Sequence, residues 1–186
     1  FYGDTMKKFF KSLMLISVCL GLSATVNAKT FRYATTGDIL GLDPHANNEG
    51  PTNTMKGNIY GRMLHRKADL SLEPDLATKW EKLDANTWRF SLRRGVKFHN
   101  GNDFNADDVL FSYKRQTQEA SDMSFALATI KQINKVDDYT VDLITKGPDP
   151  ILLLNMPMFY IVDKEWIEAN NAFEVVRASG STNFAN

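Results

Sequence analysis

The chain has 186 residues, 43% of them hydrophobic and 24% charged, a balance that supports a packed core and excludes a disordered linker. Its 22 basic residues cancel 22 acidic ones, so it lacks the basic field that nucleic-acid binding requires. The length suits one domain.

In chain order, Met6 is followed by Lys7, Lys8 and Lys11, then an apolar run from Ser12 to Leu22, then Val26-Asn27-Ala28 with small residues where signal peptidase reads them. The apolar run is about half the ~20 residues that a bilayer span needs. We therefore expect residues 6–28 to be a signal peptide cleaved after Ala28, with residues 1–5 upstream of it and the periplasm as destination. Cys19, the only cysteine, lies inside this run, so the mature chain is expected to have no disulfide and no thiol chemistry. Without residues 1–28 the chain carries 19 basic and 21 acidic residues.

Thr30 to Tyr33 reads as a short strand, and 47–53 as a polar loop containing Gly and Pro. Met55 to Leu64 is expected to be a helix, with Met55, Ile59 and Met63 spaced along one face and packed in the core. Ala77 to Leu83 is a candidate strand around Trp80. The trio Asp84-Ala85-Asn86 suits a hairpin turn. In the next strand, Trp88, Phe90 and Leu92 alternate with Arg89, Ser91 and Arg93, which predicts one buried and one solvated face. After Gly95 the pattern resumes at Val96 and Phe98 until Asn100-Gly101, a strong turn signal.

Asn105 is a good N-cap for a helix in which Asp107 and Asp108 complement the dipole. Val109, Leu110 and Tyr113 form its apolar stripe, and Lys114 and Arg115 sit toward its C-terminal end. Ile130–Val136 and Thr140–Thr145, flanking Asp137-Asp138, predict a second hairpin. The breaker Gly147-Pro148-Asp149-Pro150 precedes a short buried helix from Ile151 to Leu154 and a short strand from Phe159 to Val162. Asp163 should cap a last helix reaching about Ala169. Strands and helices alternate, so the class is α/β.

The order of residue types from Leu72 to Arg115 resembles the solute-binding proteins of peptide and nickel ABC importers, solute-binding protein family 5. The matching elements are Glu73-Pro74-Asp75-Leu76-Ala77-Thr78-Lys79-Trp80, the run from Trp88 to Gly101, and Ala106 to Ser112. Fainter matches are Gly41-Leu42-Asp43-Pro44-His45 upstream and Asp163-Lys164-Glu165-Trp166 downstream. The resemblance implies a periplasmic binding protein type II-like fold, here an N-terminal lobe strand plus a small α/β subdomain, with residues 29–186 the N-terminal part of a longer two-lobed domain. It implies no enzyme activity and no cofactor. The implied partners are a peptide or other small solute and an inner-membrane ABC permease with its ATPase on separate subunits, and the protein is expected to be a monomer.

By the same resemblance, solute lies between the lobes, and this portion offers cleft-edge groups: Asn47 and Glu49 in the loop after Pro44, and Met158 and Phe159. Two alternatives stay open, a nickel or metal-chelate binder of the same family and an exported α/β hydrolase. The residues themselves carry no GxxxxGK[ST], no HExxH, no paired cysteines and no GxSxG. His45, His65 and His99 are widely spaced and are expected to be structural or at the surface, not metal ligands.

Overall fold

The sheet takes its order from two hairpins. The computed structural model describes residues 37–177, all within one unit spanning Thr35–Asn186. The expected signal segment, the expected strand at Thr30–Tyr33 and residues 178–186 lie outside them. Helix α1 (Gly50–Ile59) leads to a small ribbon of β1 (Leu64–Arg66) and β2 (Leu72–Pro74). Then come β3 (Ala77–Lys82), β4 (Thr87–Leu92), helix α2 (Ala106–Gln116), β5 (Ile130–Asp137) and β6 (Thr140–Thr145). The last four strands form an antiparallel sheet ordered β3-β4-β6-β5. Short helices α3 (Leu152–Asn155) and α4 (Lys164–Ala169) close the described chain. No helix among the described residues is long and apolar enough to cross a membrane.

Both hairpin turns form where the sequence places them. The Asp84 carboxylate accepts from the amides of Asn86 at 2.8 Å and Thr87 at 2.9 Å, closing β3 onto β4. The Asp137 carboxylate accepts from the Tyr139 amide at 2.7 Å, closing β5 onto β6. Gly101 has φ +96°, a region that side-chain-bearing residues rarely enter, and its amide donates to the Phe98 carbonyl.

One face of the sheet is the core. Phe90 and Leu92 of β4, Val141 and Leu143 of β6, and Ile130 and Ile133 of β5 are buried with Val109 and Ala106 of α2. On the opposite face Arg89 lies directly across from Asp142 and grips it through two 2.8 Å hydrogen bonds. The expected facing of β4 therefore holds, with one correction. Trp88 is only half-buried, because it stands at the open start of the strand with the Lys82 ammonium 5.8 Å from its ring centre.

Four other expectations change. The first helix runs over Gly50–Ile59, not Met55–Leu64, because Pro51 sits in its first turn, where the missing N–H costs nothing. Its buried residues are Thr52 and Lys56, whereas Ile59 is exposed and Met63 lies beyond its end. Beyond its end the chain packs closely, since a Cβ at Gly61 would stand 2.9 Å from a Leu76 methyl group. The Phe159–Val162 stretch makes a single bridge, Arg62 to Tyr160, and no strand. The Ile151–Leu154 expectation becomes Leu152–Asn155, with Leu152 buried and Ile151 and Leu154 exposed. The β1–β2 ribbon was not anticipated.

Phe90→Ala should lower stability by about 3–5 kcal/mol, the usual cost of deleting a fully buried aromatic. Trp88→Ala should cost less. Urea unfolding of both variants tests this, and a larger loss for Trp88→Ala would contradict the burial order along β4.

Candidate functional site

Helix α2 brings a charged group into the interior. Its capping box is complete: the Asn105 side chain caps the first turn, and the Asp108 carboxylate returns a bond to the Asn105 amide. Val109 packs into the main core, and Phe111, Ser112, Arg115 and Gln116 are buried as well. Arg115, expected toward the helix C-terminal end, is fully buried. Its guanidinium grips the Asp43 carboxylate with two hydrogen bonds of 2.8 and 2.6 Å.

Asp43 and His45 lie in the loop before α1. Arginine can only donate, so its 3.0 Å contact makes His45 Nδ1 an acceptor and leaves the proton on Nε2. Nε2 then donates to the Tyr160 carbonyl at 3.0 Å. Burial, and next the Arg115 charge, push the imidazole down to about 3, so His45 is neutral and structural. Burial alone would raise the Asp43 carboxyl, but the Arg115 hydrogen bonds and charge outweigh it and the carboxyl lies below its ordinary range. Arg115 also donates from Nε to the Ala172 carbonyl at 3.1 Å.

The same loop is tied from further directions. The Ser121 hydroxyl donates to the His45 carbonyl at 2.7 Å, and the Asp122 amide donates to the Ala46 carbonyl at 3.1 Å. The Tyr60 hydroxyl donates to the Leu42 carbonyl at 2.8 Å, and burial raises its pKa. Lys56 of α1 reaches the loop from beneath. The stretch from Leu42 to Asn47 is thus an immobilised shelf.

The structure brings the expected site segments together, because the His45–Tyr160 bond joins the 43–49 loop to the 158–160 segment. Asn47 is 8% exposed, and Glu49 is half-buried and accepts from the Thr52 hydroxyl. Met158 is half-buried, and its carbonyl accepts from Gln116 Nε2 at 2.9 Å. Phe159 corrects the expectation. Its side chain is fully buried in the main core with Met63 and Leu152, so it has no face to offer a solute. Of the other histidines, His65 faces Glu73 across the ribbon at 3.8 Å and His99 is exposed.

A cavity of ≈ 380 Å³ lies beside α4, walled by Tyr60, Phe98, Phe104 and Trp166, with His99, Asn100 and Asp163 among its polar lining residues. At its edge the ligand atoms of Asp108, Asp163 and Glu165 lie within 4.8 Å of one another. The first two carboxylates are already engaged. Asp108 accepts from the Asn105 and Lys164 amides, and Asp163 from the Trp166 amide and the Asn100 and Asn102 side chains. This cluster caps α2 and α4 and staples the Asn100-Gly101 turn to them. Burial, with the Glu165 and Asp163 charges adding to it, raises the Asp108 carboxyl to about 6.

Against known proteins, the model of the bacterial extracellular solute-binding proteins, family 5 Middle, matches residues 71–182. The dipeptide-binding protein of Escherichia coli (strain K12) is 32% identical over 181 residues, covering 84% of this chain and 34% of that protein. Heme-binding protein A of Haemophilus influenzae is 33% identical over 155 residues, covering 71% of this chain and 28% of that protein. Among solved structures, the ABC transporter-associated periplasmic binding protein DppA from Helicobacter pylori, in complex with the peptide STSA, aligns with a TM-score of 0.64 at 29% identity. That alignment covers 72% of this chain and 31% of the other. The chain thus spans about a third of the length of the relatives it matches.

Two buried groups should give opposite pH signatures. Between pH 6.5 and about 3 the unfolded chain holds a proton on His45 that the fold excludes, so acidification costs stability. Asp108 acts the other way. Its folded pKa is raised from 3.8 to about 6, so its contribution is fully present below pH 3.8 and is lost as pH rises through about 6. Urea midpoints at pH 7 and 4.5 should fall more steeply on acidification in Asp108→Asn than in wild type, and less steeply in His45→Gln. Parallel profiles in all three proteins would contradict the assignment.

Proposed function

The chain belongs to family 5 of the bacterial extracellular solute-binding proteins, and we propose that it forms the N-terminal part of the solute receptor of an ABC importer. In this reading the receptor captures peptides or related small solutes and delivers them to an inner-membrane permease, whose ATPase resides on separate subunits. Capture proceeds by closure of two lobes around the solute, with no bond made or broken. The observation that carries the reading is the shelf from Leu42 to Asn47, held by Asp43–Arg115, His45–Tyr160 and Tyr60. A polar loop immobilised before the solute arrives loses little entropy on binding, which is how a binding edge gains affinity.

Asn47, Glu49 and Met158 are the proposed contacts. The Asn47 side chain offers both a donor and an acceptor, and the Glu49 carboxylate suits a peptide's terminal ammonium. Calorimetric titration of the full-length receptor with an unmodified dipeptide tests this. Glu49→Gln should weaken binding by about tenfold, the loss of one charge-assisted hydrogen bond, with an unchanged melting temperature. Unaltered affinity in Glu49→Gln and Asn47→Ala would remove the loop from the site. The relation to a heme-binding protein makes iron porphyrin the second solute to titrate.

Export to the periplasm is part of the same proposal, with cleavage after Ala28. Intact-mass measurement on periplasmic protein should give Lys29 as the first residue. Retention of Met6, or a lipid on Cys19, would contradict it.

A further inference from the structure

Lys56 is a fully buried lysine on α1. A buried ammonium is costly unless its protons are satisfied, and among the described residues this one contacts no carboxylate. Its Nζ donates to the backbone carbonyls of Pro44 at 3.2 Å and Asn47 at 2.5 Å, and stands 5.7 Å from the centre of the Tyr160 ring. Those acceptors bracket the loop proposed to meet solute, and the ring belongs to the segment joined to that loop by His45.

We infer that Lys56 is a positioning residue for solute capture: its ammonium holds the Pro44 and Asn47 carbonyls and so sets the backbone that presents Asn47 and Glu49. The inference rests on the receptor reading above and adds a residue that touches no solute.

The geometry favours this over a packing role. A packing side chain at this helix position would be apolar. Here an ammonium is spent on two main-chain oxygens three residues apart, an arrangement that fixes the intervening turn. Charge strengthens both bonds, since hydrogen bonds from an ionised donor are roughly twice as strong as neutral ones. The titratable groups facing Lys56 are Asp43, the neutral His45 and Glu49 from the loop and Asp122 from the turn after α2. Arg62 lies 5.9 Å from the centre of the same Tyr160 ring, and Arg115 is engaged by Asp43. Burial is the largest influence and lowers the Lys56 pKa from 10.5 to about 8, against the pull of Asp43, Glu49 and Asp122. Between pH 7 and 9.5 the ammonium therefore discharges.

Two measurements test the inference separately from the receptor reading. In isotopically labelled, solute-free protein, the carbonyl carbon shifts of Pro44 and Asn47 should follow the Lys56 Nζ titration, with a midpoint near 8. In Lys56→Met both shifts should be displaced and pH-independent. Shifts that stay constant while Nζ titrates overturn the inference, whether or not any solute binds. In the full-length receptor, dipeptide affinity should fall roughly tenfold in Lys56→Met. Wild-type affinity should also weaken more steeply between pH 7 and 9.5 than the variant's, whose decline reflects only the dipeptide's own terminal ammonium, which titrates at ~8. If wild type binds and the two profiles are parallel, Lys56 is structural only. If wild type binds neither dipeptide nor porphyrin, the receptor reading fails, and the carbonyl shifts alone decide whether Lys56 sets the loop.

Discussion

The buried pair of Arg115 and Asp43 is the contact on which the rest of the arrangement depends. A guanidinium with no exposure and a carboxylate at 4% have both left water. Desolvating two ions costs several kcal/mol each, and only good geometry with further hydrogen bonds offsets it. The structure meets that condition: two hydrogen bonds to Asp43, one to His45 Nδ1 and one to the Ala172 carbonyl. Removing either partner would leave the other buried and uncompensated, so the loop before α1, the end of α2 and the chain at Ala172 are held as one unit. The His45 tautomer follows from the same contact and passes the constraint on to Tyr160.

The second constraint lies at the other end of α2. There Asp108 and Asp163 accept from backbone amides at the starts of α2 and α4, and the Asn100 and Asn102 side chains converge on Asp163. The run of residue types from Trp88 to Ser112 therefore has a mechanical sense. Alternation builds a strand, Gly101 turns the chain, Asn105 starts the helix, and Asp108 joins that helix to a segment 56 residues further on. One helix thus links the start of α4 to the polar shelf by its two ends, with a different kind of charged contact at each.

What was legible in the sequence was local. Hairpins at Asp84 and Asp137, the Asn100-Gly101 turn and the Asn105 cap follow from alternation and from side chains bonding backbone within a few residues. The inward face of α1 was not legible, because Thr52 and Lys56 are polar and their partners are backbone groups of a loop that has no periodicity. The apolar spacing of Met55, Ile59 and Met63 points to a different face, yet Ile59 is exposed and Met63 lies outside the helix. The burial of Arg115 was not legible either, because Asp43, its partner, is 72 residues away. Trp88 shows the limit of alternation, which assigns the face of a strand but not how far the cover extends along it. Of the expected site groups, the structure joins the 43–49 loop to the 158–160 segment through His45 and Tyr160 and sends Phe159 into the core.

The central claim is that the shelf held by Arg115, His45 and Lys56 is the edge against which solute is captured. Amide chemical-shift mapping in the full-length receptor tests it most directly. On adding a dipeptide, the largest shifts within this part of the chain should fall at residues 45–50 and 157–160, with the β3–β6 sheet unmoved. Shifts concentrated instead around Phe98, His99 and Trp166 would contradict the account and move the site to the cavity beside α4.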